Sequence, residues 1–381
     1  MRDVVVVGGG PVGLFLAALL AGQGLDVAVW ERRPRAAEHS RAIGVHAPAL
    51  DVLARVDVRD AIIDAAVLVR RGAALSRGRL LGTVTFDQVS ARHPFVAVLP
   101  QQETERILAA RLAALGASIL VRDVTLTALQ EVDGGVELVG RTGAAGREVH
   151  ERTRFLVGAD GARSTVRDLL GVGASVRGYP DTYVMGDFED LTDAGAEAQV
   201  FLETAGVVES FPLPHGRRRF VVRTRTLVRD PAPEDLAEVV HRRTAAPVEA
   251  AGCSMVSAFG VRRTMVDAMV RGRTVLVGDA AHEISPIGGQ GMNLGWLDAA
   301  TLAPLLTRSV RSGNVDHAAL DTFEQVRTAS ARRAARVSEV NMALGRPASG
   351  ARRAVRDLTV RSVLGSPLSR RVAALYSMRG A

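Results

Sequence analysis

The sequence opens with a valine run that passes directly into closely spaced glycines, and this stretch constrains the fold more than any other. Residues 4–7 are four consecutive valines, followed by Gly8-x-Gly10-x-x-Gly13 and a segment rich in Ala and Leu. The pattern predicts a buried parallel strand, a tight turn and a helix. In such a turn Gly8 permits the bend, Gly10 lets the backbone approach a pyrophosphate at the helix N-terminus, and Gly13 lets helix and strand pack closely.

A second strand-like segment, residues 25–30, ends at Glu31, eighteen residues after Gly13. An acid at this place can accept a hydrogen bond from the ribose hydroxyl of a dinucleotide. The alternative is a tight strand-to-helix turn that binds no ligand. Because strands flank the glycines and the acid follows in register, the sequence predicts a dinucleotide site. Its predicted residues belong to the glycine turn and to the end of the second strand: Gly8, Gly10, Pro11, Val12, Gly13, Glu31 and Arg32.

The composition is typical of a globular protein with sizeable cores. Hydrophobic residues make up 47% of the 381 residues, and this length suggests two or three domains. The single cysteine, Cys253, excludes an internal disulfide and a cysteine zinc cluster, and it fits a reducing compartment. We therefore expect a cytoplasmic protein without a metal site. No apolar run is long enough for a membrane span, and the first one is broken at once by glycines, so no signal peptide is expected either.

The basic charge does not indicate nucleic-acid binding. The formal net charge is +7, but all 48 basic residues are arginines, and they are spread along the chain among 41 acids. A phosphate-binding surface would show a clustered basic patch instead. The absence of lysine also excludes Schiff-base chemistry and a Walker-type phosphate loop. The expected partner is a small molecule, and the expected assembly is a monomer or a homodimer.

Two further strand-to-loop transitions carry glycines and acids. Residues 155–157 lead into Gly158-Ala-Asp160-Gly161-Ala-Arg163-Ser164, and residues 273–277 lead into Gly278-Asp279-Ala-Ala-His282. Asp279 follows a strand end, where α/β sheets bind ligands, so its carboxylate can accept a hydrogen bond from a ligand hydroxyl. The alternative is that Asp279 caps a helix. His282 is expected to hold this loop rather than to take part in chemistry.

The last of these loops continues as Pro286-Ile-Gly-Gly289-Gln-Gly291-Met-Asn293. Residues 288–291 are predicted to present bare backbone amides at the start of a helix. Those donors, together with the helix dipole, suit a ligand on which negative charge develops. The same helix contains Pro304, which is expected to kink or end it.

Together, the three glycine-rich stretches resemble the three fingerprints of the FAD-dependent aromatic hydroxylases, the family with the p-hydroxybenzoate hydroxylase fold. The resemblance covers residues 1–345 and implies bound FAD. It places Pro286 and Gly289 beside the flavin ring, Asp160 near the pyrophosphate and Arg163 in the NAD(P)H region. For Asp160 and Arg163, an N-cap and a solvated arginine are the alternative; for Gln101, the alternative is Gln102. The resemblance adds these FAD-binding residues: Arg41, Gln101, Gly278, Asp279, Gly291, Met292 and Asn293.

The activity that the resemblance implies is monooxygenation. NADPH or NADH would reduce the flavin, O₂ would add to give a C4a-hydroperoxyflavin, and one oxygen would pass to an aromatic or polycyclic molecule. The sequence does not choose between hydroxylation, epoxidation and Baeyer-Villiger oxidation, and no catalytic base is assigned. The main alternative is a reductase or dehydrogenase of the same fold. A flavin-binding protein without turnover is another, whereas a flavin halogenase would need a Trp-x-Trp-x-Ile-Pro motif and a lysine that are absent.

The expected architecture is α/β, with a doubly wound, Rossmann-type FAD-binding domain and an inserted antiparallel substrate domain. The FAD-binding domain is predicted at residues 1–70, 100–173 and 268–345, and the substrate domain at 71–99 and 174–267. Residues 346–381 are predicted to be a helical C-terminal segment. Trp296 and Pro304 depart from the family pattern and leave the helix geometry after the last motif open. The final helix has one apolar face beside arginines, and we expect it to dock on its own chain rather than on a membrane.

Overall fold

The computed structural model describes residues 1–36, 42–87, 89–143 and 146–378. The strands within these ranges are β1 (Arg2–Val7), β2 (Val27–Glu31), β3 (Gly44–Val45), β4 (Val67–Val69), β5 (Arg71–Ser76), β6 (Arg79–Thr85), β7 (Val96–Val98), β8 (Leu120–Arg122), β9 (Val124–Val132), β10 (Gly135–Thr142), β11 (Arg147–Gly158), β12 (Ala174–Glu189), β13 (Ala198–Phe201), β14 (Val208–Leu213), β15 (Arg217–Thr224), β16 (Met255–Val266), β17 (Val270–Arg271), β18 (Thr274–Leu276) and β19 (His282–Glu283).

The helices of the described residues are α1 (Pro11–Gly22), α2 (Ala47–Leu53), α3 (Arg59–Ala65), α4 (Gln101–Leu115), α5 (Thr165–Leu169), α6 (Pro233–Thr244), α7 (Gly291–Ser312), α8 (His317–Leu344), α9 (Gly350–Leu364) and α10 (Leu368–Tyr376). Single 3₁₀ turns lie at Ala54–Val56, Ala250–Gly252 and Gly278–Ala280.

The first sheet is built around the valine strand. Its order is β17-β18-β11-β1-β2-β8, and β1 pairs in parallel with both β11 and β2. Val4, Val5 and Val6 have no exposed surface, because helices cover the sheet and the run is apolar on both faces. Strands β9 and β10 extend β11 as an antiparallel ribbon. This arrangement confirms the predicted α/β class with a doubly wound parallel sheet.

The second sheet is antiparallel apart from one pair. Its order is β19-β16-β12-β15-β14-β13-β5-β6, and only β13 and β5 run in parallel among its described pairs. Three arginines of β15 are held by acids: Arg218 by Asp190, Arg219 by Asp187, and Arg223 by Asp181. Asp181 also binds Arg346, which follows α8. These ion pairs join β15 to β12 and to the loop after it, and they attach the sheet to the segment that follows α8.

A third sheet is small and joins distant parts of the chain. Strand β7 pairs with β3 and with β4, so residues 96–98 contact residues 44–45 and 67–69. Neither large sheet includes β7, although the sequence places it in the substrate segment. The predicted boundaries between the FAD-binding domain and the substrate domain therefore stay a proposal.

Helix α7 does not end at Pro304, which was one of the two outcomes predicted for this proline. The helix runs without interruption to Ser312, with Pro304 inside it. Proline has no N–H to donate to the carbonyl of Ala300, four residues earlier. The Nη1 atom of Arg55 donates to that carbonyl at 3.3 Å instead. Trp296 is fully buried, and its Nε1 donates to the carbonyl of Pro11 at 3.0 Å, so it joins α7 to α1.

The C-terminal helices pack on the rest of the chain, as expected for the last one. The side chain of Gln290 donates to the carbonyl of Leu375, and the hydroxyl of Tyr376 donates to Asn341 Oδ1 at 2.9 Å. Within the part of the chain that the structure describes, no helix combines the length and the hydropathy needed to cross a membrane.

Candidate active site

Gly8 brings the first two glycine motifs into contact. Its amide donates to the carbonyl of Trp30 at 2.8 Å, and the amide of Ala159 donates to the carbonyl of Val7 at 2.8 Å. Gly8 has φ +114°, and an added Cβ would lie 2.3 Å from the carbonyl oxygen of Ala159. A side chain is therefore excluded on both conformational and steric grounds. The carboxyl ends of β1, β2 and β11 meet at this point.

Gly10 and Gly13 have different surroundings. A Cβ on Gly13 would lie 2.0 Å from the carbonyl oxygen of Gly8, so this glycine lets α1 approach the strand end. A Cβ on Gly10 would meet no atom within 4 Å. Gly10 is the residue before Pro11, the first residue of α1, and both line a large cavity. The open space at a helix N-terminus, with its unpaired amides, is suited to a phosphate.

Glu31 lies at the floor of the same cavity and is 4% exposed. Its Oε2 accepts from the amide of Gly9 at 2.6 Å, and its Oε1 accepts from the amide and the Nε of Arg33. Burial opposes ionisation, but the hydrogen bonds from Arg33 outweigh it and lower the pKa of Glu31. The side chain is therefore a carboxylate at neutral pH, with lone pairs left for a ribose hydroxyl.

The second motif is partly a helix cap. Ser164 is the N-cap of α5, and its hydroxyl donates to Asp160 Oδ1 at 2.6 Å while Asp160 Oδ2 accepts from the amide of Val166. The alternative interpretation of Asp160, a residue that takes part in capping a helix, therefore agrees with the observed hydrogen bonds. Asp160 and the exposed Arg163 both line the cavity as well. Burial raises the pKa of Asp160, although these hydrogen bonds oppose the effect.

The third motif is held by a buried ionic cluster of Asp298, His282 and Arg327. Asp298 Oδ2 lies 2.7 Å from His282 Nε2 and accepts from the amide of Gly278 at 3.0 Å, and its Oδ1 accepts from Arg327 Nε at 2.7 Å. Asp298 has no exposed surface. The cluster agrees with the predicted loop-holding role of His282. Asp279, in the 3₁₀ turn Gly278–Ala280, is exposed at the cavity, and the N-cap position of α7 is Gln290.

The row of bare backbone amides predicted at residues 288–291 is shorter in the structure. The amide of Gly289 donates to the carbonyl of Pro286 at 2.9 Å, so it is not bare. Helix α7 begins at Gly291, and its first amides, from Gly291 to Asn293, have no intrahelical acceptor. The Asn293 side chain instead fixes the surrounding loops, because its Nδ2 donates to the carbonyls of Gly44 and Gly289. Met292 and Gly291 line the cavity beside it.

Of the remaining predicted residues, Gln101 and Arg32 line the cavity. The Nε2 of Gln101 donates to Glu105, whereas Gln102 is exposed and not among the cavity-lining residues. The geometry therefore favours Gln101 over its neighbour. Arg41 lies outside the described residues.

His46 is a cavity-lining residue that the sequence reasoning did not select. It is 5% exposed, and neither ring nitrogen has a hydrogen-bond partner within the described residues. Burial lowers the pKa of His46 to about 4, against a smaller opposing effect of the Gly289 backbone. The imidazole is therefore neutral and has one N–H left to donate.

One cavity of about 1570 Å³ joins Gly10, Glu31, Asp160, Asp279 and His46 to a second, apolar wall. Three predicted site residues, Gly13, Gly278 and Asn293, do not line this cavity. The antiparallel sheet supplies Met185, Val200, Phe211 and Val221, and α8, α9 and α10 supply more apolar residues, among them Val360 and Tyr376. Ligand pockets usually measure about 300–1,000 Å³. The cavity therefore has room for a dinucleotide at the sheet end and a second ligand at the apolar wall.

Comparison with known proteins agrees with this geometry. The family described as "FAD binding domain" matches residues 1–338. The chain belongs to this FAD-binding family. The resemblance predicted from the three motifs is thereby confirmed.

The relatives within this family are oxygenases. The chain is 31% identical to rifampicin monooxygenase of Streptomyces venezuelae over 86% of its own length and 68% of the relative's. It is 34% identical to 6-methylpretetramide 4-monooxygenase of Streptomyces rimosus over 84% of its own length and 58% of that relative's. The chain thus spans somewhat over half to two thirds of these relatives. Their names confirm the predicted enzyme class of the family, flavin-dependent oxidoreductases.

Solved structures show the same fold. An anhydrotetracycline hydroxylase from Streptomyces rimosus superposes with a TM-score of 0.82 at 29% identity, over 100% of this chain and 76% of that one. A p-nitrophenol 4-monooxygenase from Pseudomonas putida gives a TM-score of 0.89 at 24% identity, over 100% and 99% of the two chains. At 24% identity, the similarity to the p-nitrophenol 4-monooxygenase supports a shared fold and nothing further.

The sequence did not identify three residues that line or support this site: Asp298, Arg327 and His46. Asp298 did leave a signal, because it is a charge on the apolar side of a predicted helix, next to Leu294 and Leu297. The others lie far along the chain from the motifs that they support. Their positions follow from tertiary packing, which motif spacing does not encode.

Proposed function

We propose that the protein is an FAD-dependent monooxygenase that uses NADPH or NADH and O₂ to hydroxylate an aromatic or polycyclic small molecule. The observation that carries the proposal is the single cavity that joins the glycine-motif end of the parallel sheet to the apolar face of the antiparallel sheet. A flavin and an apolar substrate could occupy it together. Epoxidation remains an alternative outcome of the same chemistry.

The residues of the cavity fit FAD. Gly10 and the start of α1 would hold the pyrophosphate, and the ionised Glu31 would accept from the ribose of the adenosine half. Asp279, Asp160 and Gln101 offer polar contacts, and Arg163 is proposed for the NAD(P)H region. The His46 imidazole and the first amides of α7 would face the ring end, beside Pro286 and Gly289. FAD supplies the redox chemistry with the nicotinamide donor and with O₂.

The chain's own part in the reaction is positioning and exclusion of water. Apolar walls from Met185, Phe211 and Val221 suit a fused aromatic ring better than a charged metabolite. They also keep water away from reactive groups, which limits wasteful side reactions. The relatives named for rifampicin and 6-methylpretetramide support a large ring system as substrate. A cytoplasmic location and a monomeric or homodimeric state stay predictions.

The test begins with the flavin. Purified protein is denatured and its released flavin identified by chromatography, with FAD expected at about one per chain. Anaerobic bleaching by NADPH and by NADH is then followed with and without a panel of phenols and polycyclic aromatics. We expect slow bleaching alone and at least a tenfold acceleration with the correct substrate. Absence of FAD would contradict the proposal, and a bleaching rate that no compound changes would favour the reductase alternative.

A further inference from the structure

Glu209 is an acid in the cavity face of the antiparallel sheet. It lies on β14, directly opposite Val200 of β13 and Val221 of β15. Residues directly opposite in a sheet share one face, and all three of these line the cavity. Phe211, two residues along β14, is on the same face. Glu209 therefore stands in an apolar surface, on the wall assigned to the substrate.

Glu209 also lacks a protein partner. The other charged side chains that this sheet contributes to the cavity are paired, Arg219 with Asp187 and Arg262 with Glu283. No hydrogen bond or ion pair joins Glu209 to any residue in the described ranges. A partly buried carboxylate without a protein partner is costly, and this cost indicates that the partner of Glu209 is a ligand.

The surroundings of Glu209 do not neutralise it. Burial is the main cause that raises the pKa of Tyr183 of β12 and of Tyr376 of α10. The nearby charge of Glu209 raises the pKa of both tyrosines further. The hydroxyl of Tyr376 is already donated to Asn341, and that of Tyr183 has no partner among the described residues. Arg219 of β15 is committed to Asp187 by two hydrogen bonds. Burial raises the pKa of Glu209 to about 7.

We propose that the Glu209 carboxylate binds a phenolic hydroxyl of the substrate and thereby selects ring systems that carry one. A carboxylate is an acceptor, so its partner must donate, and apolar walls on both sides require the rest of the partner to be apolar. A phenol meets both conditions, and its electron-rich ring fits the proposed oxygen transfer. The inference rests on the proposed function and adds to it the residue that selects the substrate.

The test compares polycyclic phenols that stay protonated at pH 8 with their methyl ethers, for example 2-hydroxyphenanthrene with 2-methoxyphenanthrene. Dissociation constants are measured on the flavin-loaded protein from the change in flavin absorbance, without turnover. We expect the wild type to bind the phenol at least tenfold more tightly than the ether at pH 8, because hydrogen bonds to charged groups are strong. The preference should shrink at pH 6, where Glu209 becomes protonated. Glu209→Gln should reduce the preference and make it independent of pH, and Glu209→Leu should abolish it.

A merely structural role would give a different pattern. Removing a buried, partnerless acid should raise the melting temperature at pH 8, whereas removing a structural contact should lower it. The exposed Glu238→Gln on α6 is the matched control, and it should change neither binding nor melting temperature. Equal binding of phenols and ethers by the wild type, tighter binding of an aromatic amine, or no binding of any phenol of the panel would overturn the inference. Retained FAD and substrate-dependent flavin reduction would show that the proposed function survives such a failure.

Discussion

At the scale of single residues, Gly10 and Gly13 belong to one motif but serve different purposes. The space above Gly10 is empty of protein, and the space above Gly13 is filled by the Gly8 carbonyl. Gly10→Val should therefore fold with a near-normal melting temperature and purify without yellow flavin. Gly13→Val should lose thermal stability, because its side chain would displace backbone. Absorbance at 450 nm and thermal unfolding check the pair, and a Gly10→Val protein with full flavin content would rule out the pyrophosphate assignment.

The buried cluster around Asp298 should contribute strongly to stability. Asp298→Asn leaves Arg327 buried without its counter-charge, and breaking a buried ion pair in this way costs about 3–5 kcal/mol. Urea unfolding measures the loss. Asp168→Asn is the control, because its side chain is 72% exposed beside Arg167, and surface pairs contribute little. Similar values for the two variants would mean that the cluster does not hold the third motif.

The same cluster gives stability a pH dependence through His282. Burial alone would lower the pKa of His282, but the charge and hydrogen bond of Asp298 outweigh it, and the folded-state pKa is raised above the ordinary value of about 6.5. The stabilisation is therefore complete below that value and is lost as pH rises through the folded-state pKa. The advantage of the wild type over His282→Gln in free energy of unfolding should decline with pH above about 6.5. Parallel pH profiles of the two proteins would contradict this.

The residues that the sequence identified are those whose role is local. Gly8, Gly10 and Gly13 lie within one strand-turn-helix unit, so spacing alone indicates which backbone approaches a ligand. Glu209 could not be found in this way. Glu209 and Ser210 are adjacent polar residues on opposite faces of their strand, so no alternation of polar and apolar residues marks the face toward the cavity. The absence of a partner for Glu209 depends on strands and helices far along the chain.

At the scale of elements, helix α7 shows how a proline can be accommodated. Arg55→Ala should lower the free energy of unfolding by about 0.5–1.5 kcal/mol, because the Ala300 carbonyl loses its donor. In a Pro304→Ala background the loss should approach zero, since an alanine N–H can donate to the same carbonyl. A double-mutant cycle by urea unfolding measures this coupling. Additive effects of the two substitutions would show that Arg55 does not compensate for Pro304.

Elements with strong local patterns were predictable, and elements defined by long-range pairing were not. The valine strand and the helix that follows Gly10 are predicted by the apolar run and the glycine spacing. The third sheet is not, because β3 is two residues long and exists only through its pairing with β7, far along the chain. The start of α7 at Gly291 differs from the predicted one because the Gly289 amide closes a turn onto Pro286.

At the scale of the whole molecule, the two large sheets meet across one cavity. The parallel sheet contributes the glycine motifs and polar floor, and the antiparallel sheet and the C-terminal helices contribute the apolar wall. Asp181 connects that wall to the helices by binding both Arg223 and Arg346. A reductase would need only the first half of this arrangement, whereas a monooxygenase needs the flavin and the ring to be oxidised in one enclosed space.

The most direct test of this account is the fate of molecular oxygen. The flavin-loaded protein is supplied with NADPH or NADH, ¹⁸O₂ and each compound of the phenol and polycyclic panel, and the products are analysed by mass spectrometry. The account predicts a product that carries one ¹⁸O atom, with one nicotinamide oxidised per product in tightly coupled turnover. Product without ¹⁸O, together with a reduced organic acceptor that accumulates, would contradict the monooxygenase and establish the reductase in its place.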